Sequence, residues 1–116
     1  MTLLHILLVG AGGFIGSIAR FWIANELNKH LLGTWVANVS GSLLLAIVVR
    51  LYMNGLIEEP MWLFFGVGFC GAYTTFSTFG KETLELLFEK KYSLAILYVG
   101  SSFIVAFLFV VFFLIW

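Results

Sequence analysis

The chain has 116 residues, 62% of them hydrophobic and only 10% charged, with a mean hydropathy of +1.09, whereas soluble domains carry about 25% charged residues. Six Lys plus Arg balance six acidic residues, every one a Glu, so the formal net charge is zero and nucleic acid is offered no basic surface. The single cysteine, Cys70, excludes an internal disulfide and a cysteine metal cluster, and within its apolar run it reads as packing. Such a composition belongs to a multi-pass integral protein of the cell membrane.

A spanning helix needs about 20 predominantly apolar residues, and four segments of one small domain, residues 1–116, qualify. The first runs from about Leu3 to Ala24. Its opening, "MTLLHILLVGAGGFIGSIARFWIA", lacks a basic start and is longer than the apolar core of a signal peptide, so it reads as a retained helix. Within it, "VGAGGFIGS" spaces Gly10, Gly13 and Gly16 like a dinucleotide-binding turn. That reading fails, because no acidic residue about 20 positions on and no parallel sheet follow it. Gly12 and Gly16 instead form a G-x-x-x-G pair for close helix packing.

The polar stretch "NELNKHLLG", with Lys29, His30 and the turn-forming Gly33, reads as the first loop. The second span covers about Thr34 to Met53. It repeats the small-residue spacing at Ala37 and Gly41 and is interrupted by Asn38, Ser40 and Ser42. After "NGLIEEP", whose Pro60 suits a helix start, the third span covers about 61–88, with a break near 71–79 in "GAYTTFSTFGKE". It resumes as "KETLELLFE", an amphipathic end suited to the headgroups. The fourth span, about Leu94 to Trp116, carries no charge, and Tyr98 and Ser102 lie one turn apart on it. Both termini then lie on one side. Lys29, Lys81, Lys90 and Lys91 gather at the other side and Arg50 leans toward the termini, so the positive-inside rule mildly favours termini outside.

Polar groups within spans are the default functional candidates, because hydrocarbon cannot satisfy them. Ser40, Ser42 and Ser101 can bond back to their own helix carbonyls. Asn38 cannot satisfy both amide hydrogens locally, which favours a pore or a subunit contact. Arg20 and Glu82 lie near span ends, where they can snorkel to the surface, and a basic residue in a vestibule draws anions. In the third span, Gly71 and the β-branched Thr74 and Thr75 make poor helix. A break there must face protein, water or an ion: freed carbonyls suit a small hard cation such as sodium, and the positive ring edges of Phe76 and Phe79 suit an anion.

With "GGFIGSIAR", "GTWVANVSGS" and "GAYTTFSTFGKE" in that order on a four-span chain, the sequence resembles the Fluc (CrcB) fluoride channels over essentially its whole length. The resemblance implies an all-α membrane protein with its third helix broken mid-membrane. It implies an antiparallel, dual-topology dimer with two fluoride pores and a structural sodium ion at the dimer centre. By position, Asn38 corresponds to the pore amide, and Phe76 and Phe79 to the phenylalanines that contact fluoride. Gly71 and Thr74 correspond to the carbonyl donors to sodium, Arg20 to the vestibule arginine and Glu82 to the acidic residue that follows the T-T-F-S-T-F motif. Tyr98 and Ser102 fit the fourth-helix polar track, with Ser77 and Thr78 adding hydroxyls, although Ala106 stands where a further hydroxyl is expected. The charge bias leaves two partners open, a second copy in opposite orientation or an oppositely biased homologue. One rival is a proton-coupled antiporter of the small multidrug-resistance type, disfavoured because no Glu is expected mid-span. Another is a non-conducting assembly subunit. An enzyme is disfavoured because His5 and His30 lie near span ends and no nucleophile with a base and an orienting group can be assembled.

Overall fold

The computed structural model describes residues 2–27 and 30–115. Lys29, counted in the charge bias, and Trp116, the expected end of the fourth span, lie outside the described residues. The elements are α1 (Leu3–Leu27), α2 (His30–Met53), the single turn α3 (Glu59–Met61), a π-wound segment (Trp62–Cys70), α4 (Gly71–Tyr73), α5 (Ser77–Phe88) and α6 (Tyr92–Ile115), with no strand among the described residues. Three helices, Leu3–Leu27, Leu31–Met53 and Tyr92–Ile115, are long and apolar enough to cross a membrane. At about 1.5 Å per residue each exceeds a hydrocarbon core of about 30 Å.

The expected third span, 61–88, is not one continuous helix. Pro60 sits in the first turn of α3, where its missing N–H has no helical partner to lose. From Trp62 the backbone takes i→i+5 winding for nine residues, although such winding usually comes as a single turn. α4 then ends at Thr74, which is extended (φ −84, ψ 156), and helix resumes at Ser77.

The expected first loop is mostly helix. α1 continues through Asn25, Glu26 and Leu27, and Gly33 is buried inside α2 rather than turning the chain. A Cβ on Gly33 would stand 3.3 Å from the Ala24 Cα, so its role is close approach of α1 and α2. The left-handed turn glycine is Gly55, at φ +75, which closes α2: Gly55 N–H donates to the Tyr52 carbonyl and Leu56 N–H to the Leu51 carbonyl. Lys90 (φ 60) ends α5 in the same way, the paired bonds satisfying terminal carbonyls.

α2 is the central element, packed against α1, the π-wound segment, α4, α5 and α6. α1 lies along the π-wound segment and α4. There the G-x-x-x-G pair meets backbone directly: a Cβ at Gly12 would collide with the Phe64 carbonyl, and one at Gly16 with the Phe69 carbonyl. From the opposite side, a Cβ at Gly68 would stand 2.6 Å from the Val9 carbonyl oxygen. Close approach of this kind supplies dispersion contacts where lipid gives helices no hydrophobic reason to associate. Cys70 is buried and free in this layer. Most outward side chains of α1 and α6, among them Phe14, Phe21, Phe107 and Phe112, are exposed apolar groups, as suits surfaces that face lipid.

Candidate functional site

The site is built around the interruption between α4 and α5, and Asn38 of α2 is its organiser. Asn38 Nδ2 donates to the Thr75 carbonyl at 3.0 Å, and Asn38 Oδ1 accepts from the Thr75 N–H at 2.7 Å. One side-chain amide thus satisfies both polar groups of an unwound residue, which an apolar interior otherwise penalises by several kcal/mol. Thr75 in turn caps α5, its Oγ1 accepting from the Thr78 N–H at 3.3 Å. In a continuing helix the Thr75 N–H would bond to the Gly71 carbonyl and the Thr78 N–H to the Thr74 carbonyl. Both donors are diverted, so the Gly71 and Thr74 carbonyls are deprived of their regular helical partners.

Gly41 seats this interruption on α2. A Cβ there would collide with Thr74 Cγ2 and approach the Tyr73 ring at 3.1 Å, so the small residue three positions beyond Asn38 keeps the two backbones close. Tyr73 is buried and its hydroxyl lies 2.9 Å from Ser40 Oγ.

Beside the interruption is a cleft of about 260 Å³, lined by Asn38, Ser42, Thr74, Thr75, Phe76, Phe79, Ser102 and Phe103, with Leu45 and Ala106. It gathers five of the residues to which the resemblance assigned a site role: Asn38, Phe76, Phe79, Ser102 and Thr74. Phe79 is 8% exposed, with its ring 5.0 Å from Tyr98 and edge-on to Phe103 at 6.1 Å and 81°. Phe76, by contrast, is 81% exposed, its ring 6.4 Å from that of Phe79. The Ser102 hydroxyl bonds back to the Tyr98 carbonyl at 2.7 Å, as Ser42 does to Asn38 and Ser40 to Val36. Ser101 does more than bond back, because its Oγ accepts from Trp35 Nε1 at 2.9 Å and ties α2 to α6.

Several sequence candidates fall outside the cleft. Ser77 and Thr78 are exposed at the start of α5. Gly71 is also exposed, and a Cβ there would meet nothing within 4 Å. Arg20 is half-buried and makes no ion pair among the described residues. Glu82 does not snorkel: it is 5% exposed and accepts from Thr34 Oγ1 at 2.5 Å. Tyr98, 4% exposed, is buried against Phe79 in the hydrophobic core rather than lining the cleft. The expectation that Glu82 snorkels to the surface is therefore corrected.

Two participants carry no role in the sequence reading, and a third, Thr75, figures there only as a poor helix former. Thr75 acts through its backbone and its capping hydroxyl, the Phe103 ring stands nearly perpendicular to that of Phe79, and Thr34 holds Glu82. Thr34 had a usable signal, since it stands four residues before Asn38 and so on the same face of α2.

The family model described as CrcB-like protein, Camphor Resistance (CrcB), matches residues 7–114. The chain is 40% identical over 113 residues to a protein of Bacillus thuringiensis subsp. konkukian named fluoride-specific ion channel FluC 2, with 92% of each covered. It is 42% identical over 97 residues to the FluC 2 of Bacillus subtilis, covering 80% of this chain and 72% of that one. It is 38% identical over 109 residues to a protein of Thermococcus kodakarensis named fluoride-specific ion channel FluC, covering 90% and 89%. With three membrane-crossing helices, a polar interruption pinned to one of them and a match over nearly its whole length, the chain is a multi-pass membrane protein and belongs to the CrcB (FluC) family.

Proposed function

We propose that the chain forms a passive fluoride-selective channel that lowers cytoplasmic fluoride, working as a dimer of oppositely oriented subunits with two pores. The observation that carries this reading is the Asn38–Thr75 pairing beside an apolar cleft, in a family whose relatives are named fluoride-specific ion channels. Fluoride is strongly hydrated, so a pore must replace its water with several modest donors rather than one full charge that would trap it. Asn38 uses one amide hydrogen on Thr75 and has a second to offer. Phe76, Phe79 and Phe103 supply ring edges, and Ser102 supplies a hydroxyl once it turns from the Tyr98 carbonyl. Ser77, Thr78 and the exposed Phe76 lie on a surface that the second subunit is proposed to cover, completing the polar track that includes Tyr98. Arg20 draws anions into a vestibule, and Glu82, held by Thr34, forms part of its wall.

The third span is proposed to cross the membrane as 61–88 with its break inside the hydrocarbon layer. The Gly71 and Thr74 carbonyls, lacking their regular helical donors and with Gly71 open to the surface, fit a sodium ion at the subunit interface, since unwound carbonyls are the usual ligands for such an ion within membranes. A second pair from the oppositely oriented subunit would complete the set. Bound there, sodium would supply charge that holds two interrupted backbones together, and it takes no part in conduction.

Fluoride efflux from liposomes holding this chain alone tests the reading. Fast fluoride release with chloride retained, unchanged by a proton ionophore, is the expected result. Release that depends on a proton gradient would instead revive the antiporter, for which Glu82 would be the carboxylate. Silence from the lone chain, with release restored by an added homologue, would identify the two-gene form.

A further inference from the structure

Arg50, near the end of α2, carries a guanidinium whose Nε is buried and finds no hydrogen-bond partner among the described residues. It lines a second, smaller cleft of about 170 Å³ between α2 and α6, whose other walls, apart from Ser42, are apolar and include Val49, Val110 and Phe113. This cleft shares Ser42 and Leu45 with the cleft beside Asn38. The two therefore adjoin along α2, with Asn38 toward one end and Arg50, three turns on, toward the other. Burying a cation's N–H without an acceptor is costly, and a charge within a span usually marks an ion path. An anion would supply the acceptor that Arg50 Nε lacks among the described residues.

We infer that Arg50 is an anion-attracting station at the end of the pore opposite Arg20, with the small cleft as a second vestibule through which fluoride passes between Ser42 and the Arg50 guanidinium. This deepens the channel reading and rests on it. Arg20 is near the end of α1 and Arg50 near the end of α2, and consecutive spanning helices run in opposite directions, so the two cations stand toward opposite faces of the membrane. A low-dielectric cleft focuses the field of a lone cation and raises the local anion concentration, while salt screens it over about 10 Å at 0.1 M. A lipid phosphate has the same oxyanion-binding chemistry for a guanidinium, and the test separates the two sources.

Fluoride efflux is measured for the parent, Arg50→Lys and Arg50→Gln at low and high ionic strength, in neutral and in anionic lipid. The expected result is that Arg50→Gln lowers flux several-fold at low salt and converges on the parent at high salt, with Arg50→Lys close to the parent in every lipid. Arg50→Cys, reconstituted first and then modified, removes folding from the comparison: a cationic thiol reagent restores flux and an anionic one lowers it further. Parent-like flux of Arg50→Gln at low salt, or an effect that appears only in anionic lipid, overturns the inference and makes Arg50 a headgroup ligand. A parent that stays silent both alone and with an added homologue overturns the channel reading as well, whereas a conducting parent with an indifferent Arg50→Gln overturns this inference alone.

Discussion

Asn38 combines two tasks that would otherwise compete. Both edges of its amide engage the Thr75 peptide, which fixes the ring-bearing residues that follow, and its remaining hydrogen can face the cleft. Replacement by Ala leaves two backbone groups unpaired in a poorly hydrated site, each worth about 1–3 kcal/mol. Asn38→Ala is expected to lower the melting temperature in detergent and to slow fluoride flux by about tenfold or more, the equivalent of roughly 1.4 kcal/mol in the barrier, while the oligomer persists on gel filtration. Unaltered flux would remove Asn38 from the pore. The sequence marked Asn38 because a helix cannot satisfy its amide locally. It could not mark Glu82 in the same way: Lys81, Glu82 and Glu85 fall within five consecutive positions of one amphipathic run, and it is tertiary packing, with the contact to Thr34 48 residues earlier as part of it, that makes Glu82 the buried one.

At the scale of elements, glycine positions decide which backbones can touch. Gly10 has open space where a Cβ would be, whereas Gly12, two residues on, meets the Phe64 carbonyl. Gly10→Ala is expected to be tolerated and even slightly favourable, since Ala is a better helix former by about 1 kcal/mol. Gly12→Ala must separate α1 from the π-wound segment, a change of the overpacking kind that costs about 1–3 kcal/mol. Thermal unfolding of the two purified variants, followed by loss of the monodisperse gel-filtration peak, checks the contrast, and equal behaviour would mean that this crossing is not a tight backbone contact. The G-x-x-x-G spacing revealed that α1 has a packing face but not which element it meets. The π winding of Trp62–Cys70 was not legible, because a nearly all-apolar run such as "WLFFGVGFC" has no polar position to set a helical phase. The polar stretch after Ala24 misled for a related reason: polarity alone suggested a loop, yet Asn25, Glu26 and Leu27 extend α1.

At the scale of the whole molecule, the groups of the interruption reach the surface. Phe76 is 81% exposed beside the cleft it lines, and Gly71 is open although its carbonyl has lost its helical donor. In the proposed dimer an oppositely oriented copy covers both, with the two-fold axis in the membrane plane passing beside the interruption so that the same groups of each chain meet. Such a pair requires that the chain insert both ways, and the charges permit it: Lys81, Lys90 and Lys91 are exposed toward one end, Glu85 and Glu89 stand among them, and Arg50 opposes them from the other end. A cysteine at the exposed turn between α2 and α3, introduced as Asn54→Cys, reports orientation, since the native Cys70 is buried. In vesicles containing this chain alone, an impermeant thiol reagent is expected to label about half of the copies, because the excess of four lysines toward one end over Arg50 toward the other is small in absolute number and sits among glutamates, which sets no strong preference. Labelling of nearly all copies, or of almost none, would show a single orientation. The second subunit would then have to be a homologue with the opposite bias, and a pore completed by two identical chains would be excluded.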